Sequence, residues 1–319
     1  MPYDPDVQVV LDMIRAAGRA PFETMTPAEA RVAFGAGRQV LQPAPAEVAE
    51  VRDTVAPGPL GDIKVRLYRP LGTAASDVLP VLIYFHGGGW VVGDLDSHDV
   101  QCRRFANGAR CRVVSVDYRM APEHVFPAAV NDCAAAVKWA VANAASLGID
   151  PTKVAVAGDS AGGNLAAVMA LMARDGTIPP LVFQLLVYPG TDMMMTTVSA
   201  TGIGPGVPLT SATMKWFIDL YVPSQADRRD WRASPLRAAD LGGTAPALVL
   251  TCGYDPLCDE GVDYARRLSR EGVHVTHLHY ATQIHGFMGM GRLIRTAELA
   301  IDAMAAALKH ALWPPGPVA

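Results

Sequence analysis

Charge is scarce in this chain. Only 18% of its 319 residues are Asp, Glu, Lys or Arg, and 27 basic against 31 acidic residues leave a formal net charge of −4. No lysine- or arginine-rich block occurs, so the electrostatic footprint of a nucleic-acid-binding surface is missing and polyanionic partners are not favoured. Cysteine is sparse as well. Cys102, Cys111, Cys133, Cys252 and Cys258 are odd in number, scattered, and free of C-x-x-C or His/Cys ligand spacing. That pattern excludes a disulfide framework or a structural metal site and fits free thiols in a reducing cytoplasm. No uninterrupted apolar stretch reaches the roughly 18–20 residues of a membrane span. The opening MPYDPDVQVVLDMIRAAGRA also lacks the basic region, apolar run and cleavage site of a secretory signal. These absences predict a soluble, cytoplasmic protein with a neutral small-molecule partner.

Half of the residues are hydrophobic, enough for a large core. Residues 5–17 (PDVQVVLDMIRAA) place apolar side chains at helical spacing, and TPAEARVAFGAG reads as a second short helix capped at Thr26. From about residue 47 the pattern turns to strands. EVAEVRDTVAP and DIKVRLYRP alternate as a half-exposed hairpin does. LPVLIYF (79–85), CRVVSVDY (111–118), KVAVAG (153–158), VFQLLVY (182–188) and PALVLTCG (246–253) are instead continuous apolar runs, the mark of strands buried on both faces. The helical segments NDCAAAVKWAVANAA and NLAAVMALMARDG lie between such runs, and HVTHLHYA reads as a last strand. Strand–helix alternation of this kind implies the α/β class, with a mostly parallel sheet flanked by helices. AELAIDAMAAALKHALW reads as a closing helix and PPGPVA as a frayed tail.

Residues 190–232 interrupt the alternation with a methionine run (Met193, Met194, Met195), a Gly/Pro segment (TGIGPGVP) and the amphipathic LTSATMKWFIDLYV. Taken singly, Trp216, Phe217, Leu220 and Tyr221 of that helix read as core packing. Taken together with residues 1–46, the insertion would form an apolar roof. The expected organisation is therefore a cap from 1–46 and 190–232 on a catalytic core from 47–189 and 233–319.

The strongest chemical signal is Gly158-Asp159-Ser160-Ala161-Gly162-Gly163, between the strand KVAVA and the helix NLAAVMALMA. A serine at a tight strand-to-helix turn needs small neighbours, because the backbone is strained and side chains would block its hydroxyl; this is a nucleophile elbow. Glycine-rich strand-to-helix turns also cradle phosphates, but the lysine of a P-loop is absent. A second signal is His86-Gly87-Gly88-Gly89-Trp90, directly after LPVLIYF. Consecutive glycines let backbone N–H groups face a cavity, which a tetrahedral oxyanion requires. Gly88, Gly89 and Ala161 are the expected donors, and His86 an anchor of the loop. A serine hydroxyl further needs a base and an orienting carboxylate, in the chain order Ser, Asp, His. Asp255 follows PALVLTCG, and His285 lies in QIHGF just beyond the last strand. Asp259 and Glu260 compete with Asp255, but both stand where they would cap the helix DEGVDYARRLSR. His277 and His279 share a strand face without a carboxylate and read as solvated rather than metal-binding; His98, His124, His274 and His310 read as structural.

These motifs resemble the hormone-sensitive lipase family of bacterial esterases. The likeness runs from about residue 50 to 290 and includes HGGGW followed by Gly93, Asp117-Tyr118-Arg119-Met120-Ala121-Pro122-Glu123-His124 continuing to Phe126-Pro127-Ala128, GDSAGGN, YPGTD, DWRASPL, Asp255-Pro256-Leu257 through Asp259-Glu260-Gly261, and His285-Gly286-Phe287. The resemblance implies an eight-stranded α/β-hydrolase sheet, a helical cap, and hydrolysis of short to medium acyl esters without a cofactor or metal. Met120 stands where the family usually has leucine, and Cys258 where it often has arginine. Trp90 replaces a commoner phenylalanine or methionine, which would reshape the pocket. Trp90, Tyr188, Trp216, Phe217, Leu220 and Phe287 are the candidate pocket residues. A ligand receptor on this scaffold would lack the catalytic histidine, which His285 supplies here, and no propeller-sized domain restricts the site to peptides. An exposed final strand leaves a homodimer open.

Overall fold

The apolar runs become strands. In the computed structural model, which describes residues 2–315, these are β1 Glu50–Ala56, β2 Ile63–Arg69, β3 Leu79–Phe85, β4 Arg112–Asp117, β5 Ile149–Asp159, β6 Phe183–Val187, β7 Ala247–Tyr254 and β8 Val275–Ile284. They form one eight-stranded sheet in the order β1-β2-β4-β3-β5-β6-β7-β8. β2 pairs antiparallel with β1 and β4, and every other pairing is parallel. All seven residues of β3 are buried, because helices cover both faces of a parallel sheet and its strands need no polar side. The hairpin strand β1 is largely exposed instead.

The helices are α1 Pro5–Ala16, α2 Pro27–Leu41, α3 Asp99–Ala109, α4 Ala128–Ala142, α5 Ala144–Leu147, α6 Ala161–Arg174, α7 Val198–Gly202, α8 Ser211–Tyr221, α9 Cys258–Arg270 and α10 Arg295–Leu312. Successive side chains of a strand point to opposite faces, and β3 divides accordingly. Val81, Ile83 and Phe85 join one core with α4, α6 and α9; Leu82 and Tyr84 join the other with α3 and α10.

Local chemistry explains the element ends. Thr26 caps α2 by accepting from the Glu29 N–H at 3.3 Å, and the Glu29 carboxylate accepts from the Thr26 N–H at 2.8 Å. That helix runs on to Leu41, past the short segment expected. The helix α3 is not legible as a periodic segment, since its sequence DVQCRRFANGA carries two arginines and a glycine. It is held by ion pairs: Arg103 to Asp99 at 2.6 Å, and Arg104 to Glu298 and Asp302 of α10. Asp259 and Glu260 sit in the first turn of α9 but do not cap it. Glu260 accepts from the N–H groups of Thr191 and Asp192, and Asp259 from that of Ser199, so both tie α9 to residues 191–199. Residues 316–319 of the expected tail lie outside the described residues. Among the described residues, no helix is long and apolar enough to cross a membrane.

The parallel strands all point one way. Gly88 follows β3, Ser160 β5, Asp255 β7 and His285 β8, so their loops share the carboxyl edge of the sheet, where α/β sheets bind ligands.

Candidate active site

Ser160 stands between β5 and α6 with φ 57° and ψ −117°, a backbone region costly for a residue with a Cβ. The surroundings hold it there. Its N–H donates to the Val187 carbonyl at 2.8 Å, and its carbonyl accepts from the Asn164 N–H at 3.0 Å. Gly162 makes the turn sterically feasible, since a Cβ at that position would overlap the Phe85 carbonyl. Sequence reading does not single out Asn164, a buried residue whose amide donates to the carbonyls of Gly190 and Ala233, both at 2.8 Å. It fastens the elbow to the chain behind it.

The structure brings Ser160, His285 and Asp255 together across 125 and 30 residues of sequence. His285 Nε2 lies 2.9 Å from Ser160 Oγ, and Nδ1 lies 2.7 Å from Asp255 Oδ2. Asp255 is fully buried, and its other oxygen accepts from the Leu257 N–H at 2.8 Å. A carboxylate only accepts, so Nδ1 carries the donated proton and Nε2 is left to accept from the serine. The competing Asp259 and Glu260 carboxylates are engaged elsewhere, as described above.

Gly88 and Gly89 line a cavity beside Ser160 and His285, and Ala161 is the first residue of α6, where N–H groups lack an intrahelical acceptor. Gly89 has φ 59°, and a Cβ there would collide with the ring of Phe217 from α8. Behind this loop lies a buried polar network. Asp159 Oδ1 accepts from Tyr84 O–H at 2.7 Å and from the Gly87 N–H at 3.0 Å, and lies 3.2 Å from His98 Nε2. Burial pushes the Asp159 carboxyl up, but the adjacent His98 ring and hydrogen bonds outweigh it and hold the group well below the usual carboxylate range. The residue before Ser160 is thereby tied to the glycine loop. His98 has no motif around it in the sequence, so only the fold discloses this link. His86 anchors the loop as expected: its ring stacks on Tyr118 at 4.3 Å, and burial lowers its pKa to about 4.

The cavity above Ser160 has a volume of about 930 Å³. Its walls come from residues 11–41 and 201–217, with Phe22, Phe34, Ile203, Leu209, Met214 and Phe217 among the apolar lining. Of the six expected pocket residues, only Phe217 lines it. On a helix, neighbours point about 100° apart while i and i+4 share a face, so Trp216 and Leu220 turn together away from the cavity that Phe217 faces. Trp90 is fully buried and stacks flat on Tyr221, centroids 4.8 Å apart. Tyr188 and Phe287 are buried behind the histidine, with the Tyr188 ring 4.6 Å from that of His285. These five support the walls instead of forming them. The Gly/Pro segment TGIGPGVP, whose broken pattern was the one available signal, supplies much of the lining.

His277 and His279 both approach Thr251 Oγ1 at 2.9 Å, a more engaged position than a solvated face. No group of three His, Cys, Asp or Glu side chains suited to a metal ion occurs among the described residues.

Known proteins are similar to this chain in sequence and fold. A family profile described as alpha/beta hydrolase fold matches residues 82–289. The chain is similar to the carboxylesterase NlhH of Mycobacterium tuberculosis, with 42% identity over 315 residues and 97% of each chain covered. It is also similar to the ethyl acetate hydrolase of Pseudomonas putida, with 37% identity over 98% of this chain and 100% of that protein. Among solved structures, an α/β-hydrolase enzyme from the Lake Arreo metagenome superposes with a TM-score of 0.92 at 44% identity, covering 96% of this chain and 98% of that one. The hyperthermophilic esterase of Pyrobaculum calidifontis gives 0.90 at 41%, covering 97% and 98%. The chain belongs to the hormone-sensitive-lipase-like family of α/β hydrolases and is a carboxylic-ester hydrolase.

Proposed function

We propose that Ser160 is the nucleophile of this esterase, His285 its general base and acid, and Asp255 the group that orients the imidazole. The reading rests on one observation above all: the continuous chain from Ser160 Oγ through His285 to Asp255 opens on the apolar cavity. Ser160 attacks the ester carbonyl as His285 Nε2 takes its proton. The oxyanion rests on the N–H groups of Gly88, Gly89 and Ala161, each such donor contributing about 3 kcal/mol to lowering the barrier. His285 then protonates the leaving alcohol, and water releases the acyl group by the reverse sequence. Only water is needed as a co-reactant. Acidification suppresses turnover, because an imidazolium cannot accept the serine proton.

Residues 1–46 and 190–232 act as the cap and the remainder as the catalytic core, a division supported by the origin of the cavity walls. Short to medium acyl esters suit an apolar cavity of this size. Five unpaired cysteines favour a reducing compartment, the cytoplasm. The open edge at β8 offers a surface for a homodimer, which size-exclusion chromatography tests.

Replacing Ser160 by alanine tests the central assignment. Release of p-nitrophenol from the butyrate ester should fall at least about a thousandfold with the melting temperature unchanged. Near wild-type turnover by that variant would refute it.

A further inference from the structure

The cavity wall is apolar but not uncharged, and its charged groups are unequal. Arg15 is bonded to Asp12 at 3.0 Å, and Arg19 donates to the Ala33 carbonyl at 3.2 Å. Glu23 accepts from Thr213 Oγ1 at 2.6 Å, and Asp159 is held by Tyr84, Gly87 and His98. Arg38 differs. Its guanidinium lies over the Phe34 ring, 4.9 Å from the centroid, and against the backbone of Gly289 in the loop after His285. It has no hydrogen-bond or ion-pair partner among the described residues. Its charge nevertheless reaches Asp159, the residue before the nucleophile.

A guanidinium offers five N–H donors in a planar fork and cannot shed its proton, so in an apolar enclosure it favours an anion that accepts two parallel bonds. Contact with the Phe34 ring restricts that fork and lowers the entropy lost when an anion docks. We propose that Arg38 is a carboxylate-recognition site and that the enzyme selects esters bearing a free carboxylate over neutral esters of equal length. The claim rests on the Ser160 reading only for where hydrolysis occurs. Water supplies the oxygen that bonds to the acyl carbon, and the bond to the alkoxy oxygen breaks. A dicarboxylate monoester thus yields a dicarboxylate and an alcohol, whereas an acyloxy acid yields a carboxylate and a hydroxy acid.

The test uses matched pairs followed by pH-stat titration: monoethyl succinate against ethyl valerate, with the carboxylate on the acyl side, and acetoxyacetate against propyl acetate, with it on the alcohol side. Arg38→Gln should lower the ratio of kcat/KM, acidic over neutral, by about tenfold or more in one pair, as expected for losing a charge-assisted hydrogen bond. The affected pair identifies the side. Arg38→Lys should retain part of the preference. Calorimetric binding to Ser160→Ala reads the same preference without chemistry, with monoethyl succinate or acetoxyacetate binding about tenfold weaker when Arg38→Gln is added. If both ratios stay within about twofold of wild type and binding of both acidic probes is unchanged, the proposal is overturned and Arg38 is only a counter-charge for Asp159. Absence of p-nitrophenyl acetate hydrolysis by the wild type would count against the Ser160 reading alone, because the binding arm still decides the Arg38 claim.

Discussion

Asp117 ends β4 with a carboxyl that burial, reinforced by the charge of Asp94, pushes up to about 6. The protonated form is therefore favoured in the folded state, and its contribution to stability is complete below the unfolded value near 4. It is lost as pH rises through about 6. Asp117→Asn should match the wild type near pH 3 and exceed it at pH 8 by up to about 3 kcal/mol, the free-energy equivalent of the shift from 3.8 to about 6. Thermal melts of both proteins at the two pH values check this, and a variant less stable at pH 8 would reverse the sign. Legibility at this scale divided sharply. Ser160, Asp255 and His285 were readable because each needs a special backbone neighbourhood that glycine and strand patterns advertise. His98 and Arg38 carry no local signature, since the partner of His98 lies 61 residues away and Arg38 meets Gly289 and the charge of Asp159 only through the fold.

Single elements act through their neighbours, and α2 is the clearest case. Its Arg31 donates from Nε to the Val91 carbonyl at 2.8 Å, and from one terminal nitrogen to the Ala121 carbonyl at 2.9 Å. It also forks onto Glu123 at 2.8 and 2.6 Å. Those hydrogen bonds from Arg31 pull the Glu123 carboxyl down to about 2. The clamp joins a helix outside the sheet to the chain just beyond Gly88 and Gly89, so it steadies the N–H groups proposed to bind the oxyanion. Arg31→Met should lower kcat by about tenfold with a smaller change in KM, and reduce the melting temperature by a few degrees, as loss of a charged hydrogen bond predicts. A stopped-flow comparison with Arg31→Lys separates charge from geometry, because a lysine lacks the planar fork. Sequence patterns located α2 through its helical spacing and the Thr26 cap but were silent on this tether. Helical periodicity says which face is apolar, not which carbonyl a long polar side chain will reach.

Across the whole molecule, the loops after the sheet strands supply the hydrogen-bonded Ser160, His285 and Asp255, and the segments outside the sheet supply the walls. With the cavity at about 930 Å³ and walled by residues 11–41 and 201–217, uncharged acyl chains should be limited by length. A series of p-nitrophenyl esters should show kcat/KM highest between about four and eight acyl carbons and falling beyond ten; a maximum at sixteen would indicate that the roof opens. The order of motifs along the chain was sufficient to predict the α/β class, the strand succession and the three side chains that converge at the carboxyl edge of the sheet, because hydrophobic periodicity and glycine placement are local consequences of backbone geometry. The pocket was not accessible in that way. Trp90, Tyr188, Trp216, Leu220 and Phe287 looked like a lining and lie outside it, since which side of a side chain faces a cavity depends on how remote elements pack. That packing is a long-range balance of buried area and steric fit, and no window of sequence contains both partners.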